Sequence, residues 1–139
     1  MDKALAHYIK DKFIAKGADD VVVSLVTDKQ NQVKFHNSGI STTMSWDLMS
    51  ASLFISKDKK LAYTTIKDLD KGSINSAVEK LMKFAESSMP NKEFAGIAKG
   101  PFSYKEIEET YDRKVAELGD KSIDYVEGAM NAARENGAE

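Results

Sequence analysis

The chain has 139 residues, carries 20 Lys and Arg against 22 Asp and Glu, and contains two His and no Cys. This length corresponds to about one domain, which buries roughly two-thirds of its unfolded surface and forms a core without disulfides. The composition excludes a thiolate metal site and a three-histidine zinc site within one copy, and the near-neutral charge disfavours a duplex-binding protein with a large basic surface.

The first residues predict an amphipathic helix over 3–16. Its apolar residues recur at helical spacing: Leu5, Tyr8, Ile9 and Phe13. Gly17 is placed to end this helix, because glycine readily adopts the left-handed conformation common at helix C-termini. The run rich in β-branched residues that follows predicts a buried strand.

Alternating apolar residues and turn signals then predict a meander of antiparallel strands. The expected strands lie at 21–27, 32–36, 40–48, 50–56 and 61–66. The expected turns lie at 28–31, 37–39 and 57–60. Met44, Trp46 and Met49 are interpreted as core residues, with an exposed apolar interface as the alternative.

The second half of the chain is predicted to be helical. Its strongest periodic signal is the apolar series Ile74, Ala77, Val78, Leu81, Met82 and Ala85. Asp70 or Ser73 is placed to cap this helix, which should end before Pro90. The stretch 88–103 holds both prolines and predicts an extended connector.

A short helix or helical turns are expected around 107–118, followed by a last helix that Ser122 caps. The inward residues of this last helix are expected to be Ile123, Val126, Met130 and Ala133. We therefore predict an α+β fold: an N-terminal helix, an antiparallel meander of four or five strands, and two to three C-terminal helices packed on one face.

The longest apolar run, 21–26, is far shorter than the roughly 20 residues that cross a bilayer. The N-terminus has no uninterrupted apolar segment and does not resemble a signal peptide. We therefore expect a cytoplasmic protein that has no membrane partner.

Residues with catalytic or metal-binding chemistry are sparse. His7 and His36 occur in no H-E-x-x-H or H-E-x-x-x-H motif, and we interpret both as structural. The chain contains neither a G-x-S-x-G elbow nor a phosphate-binding glycine loop. The acidic residues Glu106, Glu108, Glu109 and Asp112 are interpreted as a solvated helix face. From these residues we assign no catalytic, cofactor-binding or metal-binding position.

A small basic turn lies beside Tyr63 and contains Lys57, Lys59 and Lys60. Such a turn could contact nucleic acid, but Asp58 interrupts it, and charged hairpin ends also protect strands from aggregation. Nucleic acid is therefore an unlikely partner, and nucleic-acid binding is kept as the third functional hypothesis.

Four short motifs occur in a fixed order along the chain: GADDVVVSL at 17–25, VKFHNSGI at 33–40, AYTTIKDL at 62–69 and PNKEFAGI at 90–97. In order and spacing they resemble the N-terminal domain of the TldD/PmbA family, the "modulator of DNA gyrase" proteins. The resemblance covers most of residues 4–139. Two positions depart from the family pattern: Lys60-Leu61 replaces a glycine before the third motif, and Lys67 replaces an asparagine within it.

The resemblance implies a zinc metalloprotease system in which this domain is non-catalytic. The H-E-x-x-x-H zinc helix of TldD-type relatives lies downstream of this domain in the family, and PmbA-type members lack it. No cofactor is therefore expected in this chain, and zinc is expected in the catalytic domain of TldD-type relatives. The implied partners are a TldD/PmbA-type chain, in a homo- or heterodimer, and extended peptides held by an accessible strand edge.

The end of the chain repeats the helix-Gly-Ala-acid pattern of residues 13–19, and no strand follows it. We therefore expect residues 1–139 to be a single N-terminal domain of a longer chain, with a core at 3–88, a connector at 89–103 and a helical segment at 104–136. Two alternatives remain open. A Gly-Ala pair after a helix is common, and the chain could instead be a self-contained protein-interaction module unrelated to peptidases.

Overall fold

The computed structural model describes residues 3–36, 39–105, 107–108 and 110–137. Its elements are, in chain order, α1 (Lys3–Ala15), β1 (Asp20–His36), β2 (Gly39–Lys57), β3 (Lys60–Ile66), α2 (Lys71–Ser87), α3 (Arg113–Ala116), a 3-10 turn (Gly119–Lys121) and α4 (Ser122–Glu135). The strands form an antiparallel sheet in the order β1-β2-β3. The predicted α+β class is confirmed.

The sheet has three strands among the described residues, so the expected four or five is wrong. The expected strands 21–27 and 32–36 are one strand, β1, and 40–48 and 50–56 are one strand, β2. The turn predicted at 28–31 does not form. Pairing with β2 overrides the local turn preference of Asp and Asn, and Lys29 there forms a 3.6 Å ion pair with Asp47 of β2. Residues 37 and 38 of the next predicted turn lie outside the described residues.

The chain divides into two compact units. The first comprises Met1–Asp28 and Leu48–Pro101, and the second comprises Lys29–Asp47 and Phe102–Glu139. No helix in the described part of the chain has the length and apolar character needed to cross a membrane.

The core of the first unit lies between one face of the sheet and two helices. On β2, Ala51, Leu53 and Ile55 alternate along the strand and are fully buried, as a one-sided strand requires. Ile9 and Phe13 of α1 are fully buried in the same cluster. The buried residues of α2 are Ile74, Val78, Leu81, Met82 and Ala85, as the helical periodicity predicts.

The passage from α1 to β1 ends the helix as predicted. Gly17 has a φ of +84°, and the backbone N–H groups of Gly17 and Ala18 donate to Ile14 and Phe13. This pair of bonds is a Schellman motif, which satisfies carbonyl groups at the helix end. The Asp19 N–H then donates to the Ser56 carbonyl at 2.8 Å and begins the pairing of β1 with β2.

The turn between β2 and β3 is a two-residue hairpin. Asp58 and Lys59 have φ values of +51° and +60°, the left-handed pair typical of a type I′ turn. The Asp58 N–H donates to the Asp19 carboxylate at 2.7 Å, and the buried Ser56 hydroxyl donates to the Asp20 carboxylate at 2.9 Å. The two acidic residues of the first motif therefore hold this hairpin in place.

The C-terminal segment of the second unit is less helical than expected. Between 107 and 118, α3 is a single turn, and Ile107, Tyr111 and Val115 are exposed. Ser122 is not the cap of α4, because the 3-10 turn before it already has helical backbone angles and Ser122 is the first helical residue. Met130 is buried, whereas Ala133 is exposed, so its predicted inward position is wrong.

Replacing Phe13 with Ala should lower the free energy of unfolding by about 3–5 kcal/mol, because the ring is fully buried between the helices and the sheet. Urea denaturation followed by circular dichroism measures the change. The matched control is Ile14→Ala, the next residue on α1, whose side chain is 48% exposed. Equal losses in the two variants would show that the core does not lie on this side of α1.

Candidate functional site

A groove of about 640 Å³ lies in the first unit between strand β3 and helix α2. The strand side is formed by Tyr63, Thr64 and Ile66. The helix side is formed by Gly72, Ser73, Ser76, Ala77, Lys80, Leu81 and Phe84. We call this the β3–α2 groove.

The floor of the β3–α2 groove is formed by residues at the margin of the hydrophobic core. Leu81 is buried, and Ile66 and Ala77 are partly buried against the core cluster. Phe84, by contrast, is 58% exposed. The groove therefore has an apolar floor with an exposed aromatic ring beside it.

The strand side of the groove is the edge of the sheet. β3 pairs with β2 from Ala51↔Ile66 to Lys57↔Lys60, and the sheet order leaves its other edge without a strand among the described residues. Of the backbone hydrogen bonds outside helices and strands, none between described residues involves 61–66. Because alternate residues of an edge strand point their N–H and C=O groups outward, this edge can pair with another chain.

The helix side of the groove is a stripe that repeats every three or four residues. From Ser73 to Phe84 the stripe spans 11 residue steps, or roughly 16 Å at 1.5 Å each. Extended chain rises about 3.3 Å per residue, so the stripe matches about five residues of a strand. The groove therefore has the length of a short extended peptide.

The N-terminal end of α2 is capped by Asp70, one of the two expected caps. Its carboxylate accepts hydrogen bonds from the N–H groups of Gly72 at 2.8 Å and Ser73 at 3.1 Å. Hydrogen bonds from the Ser73 side chain, and then from these N–H groups, lower the pKa of Asp70. The carboxylate therefore stays ionised beside this end of the groove.

The other end of α2 is tied to the sheet through Glu86. The Lys57 ammonium donates to the Glu86 carboxylate at 2.7 Å, and the Lys60 ammonium donates to the Glu86 backbone carbonyl at 2.7 Å. The hydrogen bond with Lys57 lowers the pKa of Glu86 and, reciprocally, raises that of Lys57. α2 is thus attached to the hairpin at the end of the groove where β3 begins.

These contacts also account for the basic turn noted in the sequence. Lys57 and Lys60 are engaged by Glu86, and Lys59 donates to the Lys92 carbonyl at 3.4 Å. Three lysines held by protein oxygens do not form a free basic patch, so they lend little support to nucleic-acid binding.

The other candidate residues do not converge on a chemical site. His7 is exposed on α1 and His36 is exposed at the end of β1. No group of three or more His, Asp or Glu side chains able to hold a metal occurs in the described part of the chain. Asp112 caps α3 by accepting from the Lys114 N–H at 2.7 Å, while Glu106 and Glu109 lie outside the described residues.

The prediction that Met44 and Met49 of β2 lie in the core is wrong. Met44 and Met49 are exposed, and Trp46 is half-buried. The error has a physical cause, because residues 40–47 belong to the second unit, outside the core cluster of the first, and alternation alone does not tell which face of a strand is covered.

The groove was not predicted from the sequence, although two signals point to it. The last strand of a meander is an edge strand, and the helix that follows has a second stripe of small and aromatic residues beside its core stripe. In this chain the second stripe comprises Ser73, Ser76, Ala77, Lys80 and Phe84.

The described residues of the first unit thus form an α+β domain, an antiparallel sheet with helices on one face and a groove at the sheet edge. The fold is similar to the crystal structure of TldE from Thermococcus kodakarensis, with a TM-score of 0.70 and 14% sequence identity. The similarity covers 97% of this chain and 29% of TldE, so the chain spans less than a third of that protein's length. No family model and no curated protein sequence matches the chain.

Replacing Asp70 with Ala should lower the urea midpoint at neutral pH, because the first turn of α2 loses its cap. Since the folded pKa of Asp70 lies below its ordinary value of 3.8, its stabilisation is full above that pH and is lost as the pH falls through the folded pKa. The difference between wild type and variant should therefore shrink in acid. Asp68→Ala, which removes the same charge two residues earlier, is the control, and a pH-independent difference would contradict the capping role.

Proposed function

We propose that this chain is a non-catalytic N-terminal domain of a cytoplasmic TldD/PmbA-like protein, and that it holds an extended peptide in the β3–α2 groove. The TldE-like fold and the four sequence motifs support the family assignment. Under this proposal the chain carries no cofactor, and zinc belongs to the catalytic domain of TldD-type relatives. Under the same proposal, the catalytic domain of a TldD-type chain would carry out the proteolysis.

The observation that carries the peptide-binding role is the position of the groove directly beside an edge strand. A peptide added to β3 would form main-chain hydrogen bonds along the edge and insert alternate side chains against α2. The apolar floor of Ile66, Ala77 and Leu81 would contact those side chains. Main-chain pairing of this kind accepts many sequences, so the groove would bind extended peptides with little dependence on their exact sequence.

Ser76→Trp should abolish peptide binding, because Ser76 is exposed and lines the groove, which the indole ring would fill. The probe is a peptide as long as β3 with fluorescein on its N-terminus, fluorescein-Thr-Leu-Thr-Val-Thr-Leu-Thr-amide, titrated with the full 139-residue chain and followed by fluorescence anisotropy. The matched control is Asn75→Trp, an exposed neighbour on α2 that does not line the groove.

The geometry of strand addition is tested by methylating the backbone nitrogens of the same peptide. Only alternate residues of an added strand donate to the edge. N-methyl groups on one alternate set should therefore abolish binding, while N-methyl groups on the other set should leave it largely intact. Equal effects of the two sets, or binding that Ser76→Trp does not affect, would exclude this mode.

A dimer with a TldD/PmbA-type chain is a second proposed role, and one surface supports it. Val22, Val26 and Tyr63 lie on the sheet face opposite the core and are exposed. Phe54, which pairs with Tyr63, is partly covered by Phe94 at a ring separation of 6.2 Å. An apolar face on both sides of a sheet favours a second protein layer.

If this face forms a homodimer, Val26→Glu should raise the dimer dissociation constant at least about tenfold, because the interface would bury an unpaired charge. Sedimentation equilibrium over a range of concentrations measures the constant. Ile14→Glu places the same charge on an exposed apolar site of α1 and should have no effect. A wild-type chain that stays monomeric throughout would exclude a homodimer.

A further inference from the structure

We infer that the β3–α2 groove selects extended peptides that carry an acidic side chain between two apolar ones. This inference rests on the proposed peptide-binding function and adds the chemistry of the preferred ligand. The occupant is a segment of another protein in which every second side chain enters the groove, in the order apolar, acidic, apolar.

The charge of the groove supports an acidic ligand. Of the ten residues that line it, Lys80 is the one charged residue, and none carries a carboxylate. Lys80 forms no ion pair with any residue in the described ranges, whereas Lys16 and Lys57 pair with Glu79 and Glu86. Its ammonium is therefore available to a ligand carboxylate.

The place of Lys80 along the groove sets the position of the acidic side chain. Lys80 lies between Ser76 and Phe84, one helical turn from each. At the Ser73 end, the ionised Asp70 cap would repel a second carboxylate. A central acidic side chain reaches Lys80, while apolar side chains on either side meet the floor near Ala77 and the ring of Phe84.

The length of the open sheet edge indicates that the carboxylate bound by Lys80 belongs to a side chain of the peptide and not to its C-terminus. β3 continues through seven residues, and the sheet edge is open from Leu61 to Ile66. A peptide that pairs along this whole length would place its middle near the middle of the helix stripe, where Lys80 lies. A terminal carboxylate placed at Lys80 would leave part of the edge without a partner.

The experiment compares three labelled peptides that differ only at the central position of the probe described above: Val, Gln and Glu. All three have amide C-termini, and the central residue stays central whichever way the peptide runs. With the wild-type chain at low salt, the Glu peptide should bind about two- to fivefold more tightly than the Gln peptide, the range of an exposed ion pair. The preference should decrease at high salt because counterions screen the pair.

Three variants identify the source of the preference. Lys80→Ala should make the Glu and Gln peptides bind equally, and Lys80→Glu should reverse their order. Lys83→Ala removes an exposed charge from α2 outside the groove and should leave the preference intact. Circular dichroism establishes that each variant is folded before titration.

The outcomes separate this inference from the function on which it rests. Equal binding of all three peptides would overturn the acidic preference and leave strand addition standing. Binding by none of them would overturn both. A neutral peptide whose free C-terminal carboxylate reproduces the gain, when the internal Glu does not, would also overturn the inference, because the carboxylate recognised would then be a chain end.

Discussion

The contact between Asp19 and the turn of the β2–β3 hairpin is the constraint on which the first unit depends. The Schellman motif at Gly17 ends α1 and directs the chain so that Asp19 reaches the Asp58 N–H. A type I′ turn requires two residues with positive φ, a conformation that is unfavourable for side chains larger than glycine. A charge-assisted hydrogen bond to this turn offsets part of that cost. The residues of the first motif thereby determine where β3 begins.

The position of β3 in turn determines the groove. α2 is connected to the sheet near both of its ends, by the short chain from Ile66 to the Asp70 cap and by the contacts of Glu86 with Lys57 and Lys60. Between these ends, the core stripe of α2 packs on the sheet while the neighbouring stripe faces the free edge of β3. The small side chains of Ser73, Ser76 and Ala77 leave this space unfilled.

Features set by neighbouring residues could be predicted from the sequence, and features set by long-range pairing could not. α1, its stop at Gly17, the 57–60 turn and the buried stripe of α2 follow from helical periodicity and turn chemistry. The lengths of β1 and β2 depend on each strand pairing with the other, which overrides the turn signal at 28–31. The groove forms because small side chains on α2 leave space beside the edge of the sheet. No residue pattern identifies such a space directly. Ser122 shows the same limit, because a preceding 3-10 turn makes its capping preference irrelevant.

In the proposed function, affinity and selectivity would come from different parts of the groove. Main-chain hydrogen bonds along β3 would contribute similarly for any extended peptide, and discrimination would come from the few side chains that enter the groove. Lys80 supplies one charged contact in an otherwise neutral lining, so selection by charge would be modest and salt-dependent. A peptide held in this way is extended and fixed at one segment, with the rest of its length free. A peptidase cleft also binds its substrate as an extended chain. The groove and the proposed peptidase partner would therefore both require the peptide to be extended.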